Sequence, residues 1–195
     1  MHNLSASFIL AYHGCDEAVA ESLLHNRPFR ASQNDYDWLG EGIYFWEANP
    51  LRGLEFALEA SRRKPTSIGK PTVIGAVIDL GFCLDLTTSL GLRIAQTAFS
   101  RLEQVSREAG LPLPVNQPDG LRHNLDCAVL NYVHRLQAEE GKSPFDTLKG
   151  VFIEKPTLYP GSAFGIKNHI QIAVRNPECI KGVFRVPDAH LNPSA

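Results

Sequence analysis

The stretch Gly40-Glu41-Gly42-Ile43-Tyr44-Phe45-Trp46-Glu47-Ala48-Asn49-Pro50 decides how this chain is read. Its opening Gly-x-Gly has the look of a dinucleotide-binding loop and fails that test. Phe45 stands where the third glycine belongs, and the segment enters a strand rather than a helix. Ile43 to Trp46 is a short apolar, aromatic run that reads as a buried strand. Asn49 and Pro50 then supply an N-cap and a first-turn proline for a helix reaching about Arg63. Taken alone, Gly40-Glu41-Gly42 is a hairpin turn.

Upstream, Phe8-Ile9-Leu10-Ala11-Tyr12 reads as a strand stopped by glycine at His13-Gly14, and Asp16 caps a short helix through Leu24. Residues 26–41 read as a loop that carries Phe29, Tyr36 and Trp38. Downstream, residues 72–80 form a strand rich in β-branched residues. Leu92, Ala95, Phe99, Leu102 and Val105 then recur at helical spacing as far as Gly110. A second amphipathic helix follows from Leu121 to Leu136. Strands are predicted at 150–153, 170–175 and 179–186. This order gives an α+β fold in one domain, 1–195, with a helical insertion at about 86–145. The insertion's apolar stripes are expected to pack on the sheet, away from any ligand pocket, leaving Arg101 and Arg122 to solvated faces.

With 195 residues, 44% hydrophobic and 21% charged, the composition is that of an ordinary globular domain with a sizeable core. A net charge of -2 gives no whole-chain attraction to nucleic acid or to an anionic membrane. Cys15, Cys83, Cys127 and Cys179 are scattered without metal-ligand spacing, and no His-Glu-x-x-His is present, so no metal site is expected. Reduced thiols, no apolar run of membrane length and no basic leader at Met1–Ser5 point to a cytoplasmic protein without membrane attachment.

Three segments read together say more than each alone. They are Tyr12-His13-Gly14, then Gly40 to Phe45, then Gln171-Ile172-Ala173-Val174-Arg175-Asn176-Pro177-Glu178-Cys179-Ile180. Their order and spacing resemble the ADP-ribosyltransferase fold of the poly(ADP-ribose) polymerases and diphtheria-toxin-like enzymes. In that family a histidine-glycine strand end comes first and a Gly-x-Gly-Ile-Tyr-Phe strand second. A late strand brings the catalytic glutamate. The resemblance touches all of the chain except the helical insertion.

The resemblance implies split mixed or antiparallel sheets with flanking helices, and NAD as substrate. His13 would bond the adenosine ribose, the Gly14 backbone would hold the nicotinamide carboxamide, and Tyr44 would stack on the ring, with Gly42 beside it and Tyr36 as a second aromatic wall. At the glutamate position stands Gln171, with His169 two residues before it. Arg52-Gly53 replaces the serine that contacts the nicotinamide amide, and Glu154 is the carboxylate available to stand in. Tyr159 and Phe164, on the loop before Gln171, would face the acceptor.

The implied activity is transfer of ADP-ribose from NAD to a protein or nucleic-acid acceptor with release of nicotinamide. By analogy with small relatives the chain would be a bacterial toxin or effector, held by an antitoxin or immunity partner. Gln171 keeps open an alternative, an NAD- or ADP-ribose-binding module that turns over slowly or not at all. An RNA 2'-phosphotransferase-like reading is disfavoured by the acidic balance and the lack of an arginine-rich site.

Overall fold

The computed structural model describes residues 8–118, 120–154 and 156–191. The N-terminal stretch considered above for a leader, and Lys155 of the acceptor loop, lie outside them. Among the described residues, seven strands form one mixed sheet in the order β4-β5-β6-β2-β1-β3-β7. They are β1 (Phe8–Asp16), β2 (Ile43–Glu47), β3 (Pro71–Asp79), β4 (Cys83–Asp85), β5 (Thr147–Phe152), β6 (His169–Val174) and β7 (Ile180–Arg185). Of these, β4 and β5 run parallel; the other neighbours are antiparallel. The helices are α1 (Glu17–Leu24), α2 (Pro50–Arg63), α3 (Ser89–Glu108) and α4 (Asn124–Glu139). The α+β reading holds, and the expected split sheets are joined as one.

The join is narrow. β1 pairs with β2 only through Ala11–Glu47 and Tyr12–Trp46, whereas it pairs with β3 along its whole length from Phe8 to Asp16. β2 continues instead along β6, from Ile43–Val174 to Trp46–Gln171. β1 and β2 therefore diverge beyond Tyr12 and leave a wedge between the two halves of the sheet.

Glycine does not stop β1, as the sequence suggested. Gly14 lies within the strand, pairing with Val73 of β3, because it lets α2 settle on the sheet. A Cβ there would stand 2.0 Å from the Gly53 carbonyl oxygen. Gly53 is equally constrained, since its own Cβ would meet a Val73 methyl at 2.9 Å. The caps are as expected: Asp16 accepts from the Ala18 amide at 2.9 Å, and Asn49 accepts from the Arg52 amide at 3.0 Å.

One sheet face packs Ala11, Phe45, Ala76, Ile172 and Val174 together, with α1 and Phe29 over its outer part. On the other face α2 covers β1 and β3, while α3 and α4 cover β4, β5 and β6 through Ala98, Val129, Leu130 and Val133 on Leu84, Leu148 and Ala173. The insertion does pack on the sheet. Strand β4 is not legible in the sequence because three residues carry no period. No helix among the described residues is long and apolar enough to cross a membrane.

Gly14→Ala should cost about 3 kcal/mol, since backbone rather than a flexible side chain must move. Gly182, where an added Cβ would meet nothing within 4 Å, is the control. Gly182→Ala should change stability by less than about 0.5 kcal/mol. Urea denaturation of both variants checks this.

His134 on α4 is buried with neither ring nitrogen partnered, and burial, assisted by Arg175, pushes its pKa down to about 4. The folded state thus needs it neutral, while the unfolded chain takes up a proton below about pH 6.5. Its contribution is complete above pH 6.5 and is lost as the pH falls toward 4, by on the order of 3 kcal/mol. His134→Leu should flatten that part of the stability profile, measured by urea unfolding between pH 7 and about pH 4.

Candidate functional site

The wedge between β1 and β2 opens into the gap that α2 and the α3–α4 pair leave between them. A cleft of about 650 Å³ lies there, floored by Tyr44, Trp46, Phe152, His169 and Gln171. Strand alternation puts these side chains on one face: Trp46 pairs with Gln171, and His169 pairs with Phe152. At the wedge, His13 Nδ1 lies 2.8 Å from the Tyr44 carbonyl oxygen. A carbonyl only accepts, so Nδ1 carries the proton and Nε2 keeps its lone pair. Burial holds the His13 pKa below the usual value, and the ring is the neutral acceptor.

The sequence-predicted residues converge. His13, Tyr36, Gly42, Tyr44, Glu154 and Gln171 all line this cleft. Gly14 does not line it, but the strand's alternation turns its peptide group toward the wedge. The Leu10 carbonyl two pairs earlier accepts from Ala48 at 3.0 Å, so even-numbered residues of β1 face β2, and β2 has already left. Gly42 is needed for contact with β6, where a Cβ would meet the Ala173 methyl at 3.1 Å. Tyr159 and Phe164 are exposed and outside the cleft lining.

Tyr44 is more constrained than a stacking platform requires. Its hydroxyl donates to the Gly40 carbonyl at 2.7 Å and accepts from the Leu39 amide at 3.1 Å. The hydroxyl therefore shapes the loop at the cleft edge. That loop is also gripped by the insertion. Asn131 accepts from the Glu41 amide at 3.0 Å, the His123 amide donates to the Tyr36 carbonyl at 2.9 Å, and Asn124 donates to the Asp35 carbonyl at 3.1 Å. Gly120, Leu121, Arg122 and His123 themselves line the cleft. The expectation that the insertion stands clear of the pocket is thus corrected: the chain must return along the cleft to start α4. Arg122 lies on the cleft, while Arg101 is exposed on α3.

Two features leave no mark in the sequence. Trp38 donates its indole N–H to Gln171 Oε1 at 2.5 Å and packs edge-on against Phe152, with ring centroids 5.1 Å apart. Gly150, opposite Gln171 on β5, makes room for it, since a Cβ there would fall 2.7 Å from the indole. The second is Arg52, only 7% exposed, whose guanidinium lies 3.1 Å from Glu154, 3.5 Å from Glu59 and 6.0 Å from the Trp46 ring centre. Glu154 therefore shares the cleft with Gln171 but spends its charge on Arg52. Four residues past Gly150, it lies on the order of 13 Å along the chain from Gln171's cross-strand neighbour.

Among the described residues, five basic side chains line the cleft (Arg30, Arg52, Arg63, Lys64, Arg122) against three acidic ones (Asp37, Glu59, Glu154). Burial pushes the Asp37 carboxyl up, and Lys167 holds Glu59 down through a 2.6 Å contact despite the opposing effect of burial. The lining is more cationic than the chain, which suits an anionic ligand. Among the described residues no group of three or more His, Cys, Asp or Glu could hold a metal ion.

No family model matches the chain, and no solved structure matches it. An uncharacterized protein of Methanocaldococcus jannaschii is 47% identical over 36 residues, which is 18% of this chain and 17% of that protein. The chain thus spans about a sixth of that relative, and the match carries no functional statement.

Tyr44→Phe keeps the ring and strands two backbone groups of the loop, so it should cost roughly 1–2 kcal/mol of stability and weaken ligand binding as well. Tyr44→Ala loses ring and hydroxyl and should weaken binding further. Thermal unfolding and ligand titration of both variants test this ordering.

Proposed function

We propose that the cleft binds NAD and that the chain transfers ADP-ribose to a macromolecular acceptor, releasing nicotinamide. The observation that carries this reading is the convergence of His13, Gly42, Tyr44 and Gln171, from three separate segments, and of Tyr36 from the loop before the second, on one cleft at the β1–β2 wedge. The neutral His13, with Nε2 as acceptor, suits a ribose hydroxyl. The wedge-facing Gly14 peptide group offers a donor and an acceptor to a carboxamide. The cationic lining suits a diphosphate.

In the reaction the bond between the ribose C1' and the pyridinium nitrogen breaks, and its electron pair stays on nicotinamide, which leaves neutral. The oxocarbenium-like ribose is captured by an acceptor nucleophile, which gives up its proton. The protein's part is to hold the bond in line and to face the developing positive charge. Here the site is weak: Gln171 is neutral, and Glu154 is neutralised by Arg52.

That weakness favours a second reading, an NAD- or ADP-ribose-binding module with little turnover. Nicotinamide release by wild type, Gln171→Glu, Gln171→Ala and Glu154→Gln separates the two. The transferase reading expects slow release by wild type and an increase on the order of a hundredfold in Gln171→Glu. Glu154→Gln should leave the rate within a few-fold of wild type, because its charge faces Arg52. Background rates in all four, with NAD still bound, would establish the binding module instead.

A further inference from the structure

Gln171 does not sit freely in the cleft. An indole N–H is a donor and nothing else, so the atom of Gln171 that meets Trp38 at 2.5 Å is the amide oxygen. The two atoms of the carboxamide are thereby told apart: Oε1 turns to the wall, and Nε2 with its two N–H donors turns away from it. Among the described residues no protein acceptor lies against Nε2, and it is not one of the buried, unpartnered atoms. Nε2 therefore faces the cleft that Gln171 lines.

Trp38 is itself held firmly. Its ring lies in the space that the absence of a Gly150 side chain leaves and against Phe152, and Phe152 stacks on His169 with centroids 5.4 Å apart. The next residue in the chain, Leu39, is fully buried and tied through its amide to Tyr44. An indole locked at both ends of its packing can set the orientation of a flexible amide.

We propose that Trp38 is the positioning residue for position 171, fixing Gln171 so that it offers N–H donors to the cleft and selects a ligand with an acceptor oxygen there. On the NAD reading, on which the identity of the ligand rests, that oxygen belongs to a hydroxyl of the nicotinamide ribose. The orientation of Gln171 does not depend on that reading. A glutamate at 171 would take the same N–H on one oxygen and present the other, so the polarity of the contact inverts with the residue while its position is kept.

The test uses the full chain, whose two tryptophans give two indole N–H signals in a proton–nitrogen spectrum. Trp38→Phe identifies the Trp38 signal by its loss. Gln171→Leu should move that signal upfield by about 0.5 ppm or more, as a hydrogen bond to a carbonyl is removed, and leave the Trp46 indole nearly in place. An unmoved Trp38 signal overturns the proposal, whether or not NAD binds. NAD titration supplies the functional arm. Trp38→Phe, which keeps an aromatic ring, should weaken NAD binding about tenfold in the Gln171 protein, the scale of one oriented hydrogen bond. With Leu at 171 the same change should have less than a twofold effect, a coupling that loss of loop packing would not produce. Equal losses in both backgrounds overturn the positioning role. No NAD binding by wild type, with the indole shift present, removes the NAD reading and leaves the orientation of Gln171 established.

Discussion

The structure turns on the short pairing between β1 and β2. Two adjacent strands that could have zipped together for their full length stop after Tyr12 and Trp46. Beyond that point β1 belongs to β3 and β2 belongs to β6. Unpaired strand edges buried in a protein are costly, and they persist when something else satisfies them. Here the His13 ring bonds the Tyr44 carbonyl, and Ser32 pairs with Gly42 in both directions. What is left over is a wedge with a neutral imidazole at its edge, ready for a ligand.

The helices convert that wedge into a cleft. α2 is pulled onto one half of the sheet by the Gly14–Gly53 contact, and α3 with α4 is pulled onto the other by an apolar cluster. Neither pair of layers closes over the middle, so Tyr44 and Gln171 stay partly exposed from one side, while Trp46 is buried under Phe56 of α2. The insertion serves the site as well as the core, since its second helix grips the loop that carries Tyr36 and Trp38. A fold stabilised by packing at both ends thus keeps its polar chemistry at the seam. Arg52 fits this plan, spanning from α2 to Glu154 beside the seam.

Much of this was legible in the chain. The capping residues located the start of α2, because Asn49-Pro50 leaves few alternatives. The three site segments were readable because each is continuous in the chain, and glycine marks the first two. What escaped was whatever depends on strand pairing. Gly150 carries meaning only because it lies across from Gln171, and Trp38 reaches Gln171 over more than a hundred residues of sequence. The role of Gly14 as a helix contact, and the path of Gly120 to His123 along the cleft, were equally invisible, since neither leaves a local pattern. The bonds of the Tyr44 hydroxyl leave no trace in the sequence because its partners are backbone groups, which every sequence has.

The transferase reading of this chain stands on the seam between the two halves of the sheet being an NAD site. A crystal structure of the chain grown with NAD puts that to the test. The nicotinamide is expected against Tyr44 with its ribose at Gln171, and the adenosine end beyond the wedge with a ribose hydroxyl on His13 Nε2. Density for NAD elsewhere on the molecule, or an empty cleft at saturating NAD, would contradict it.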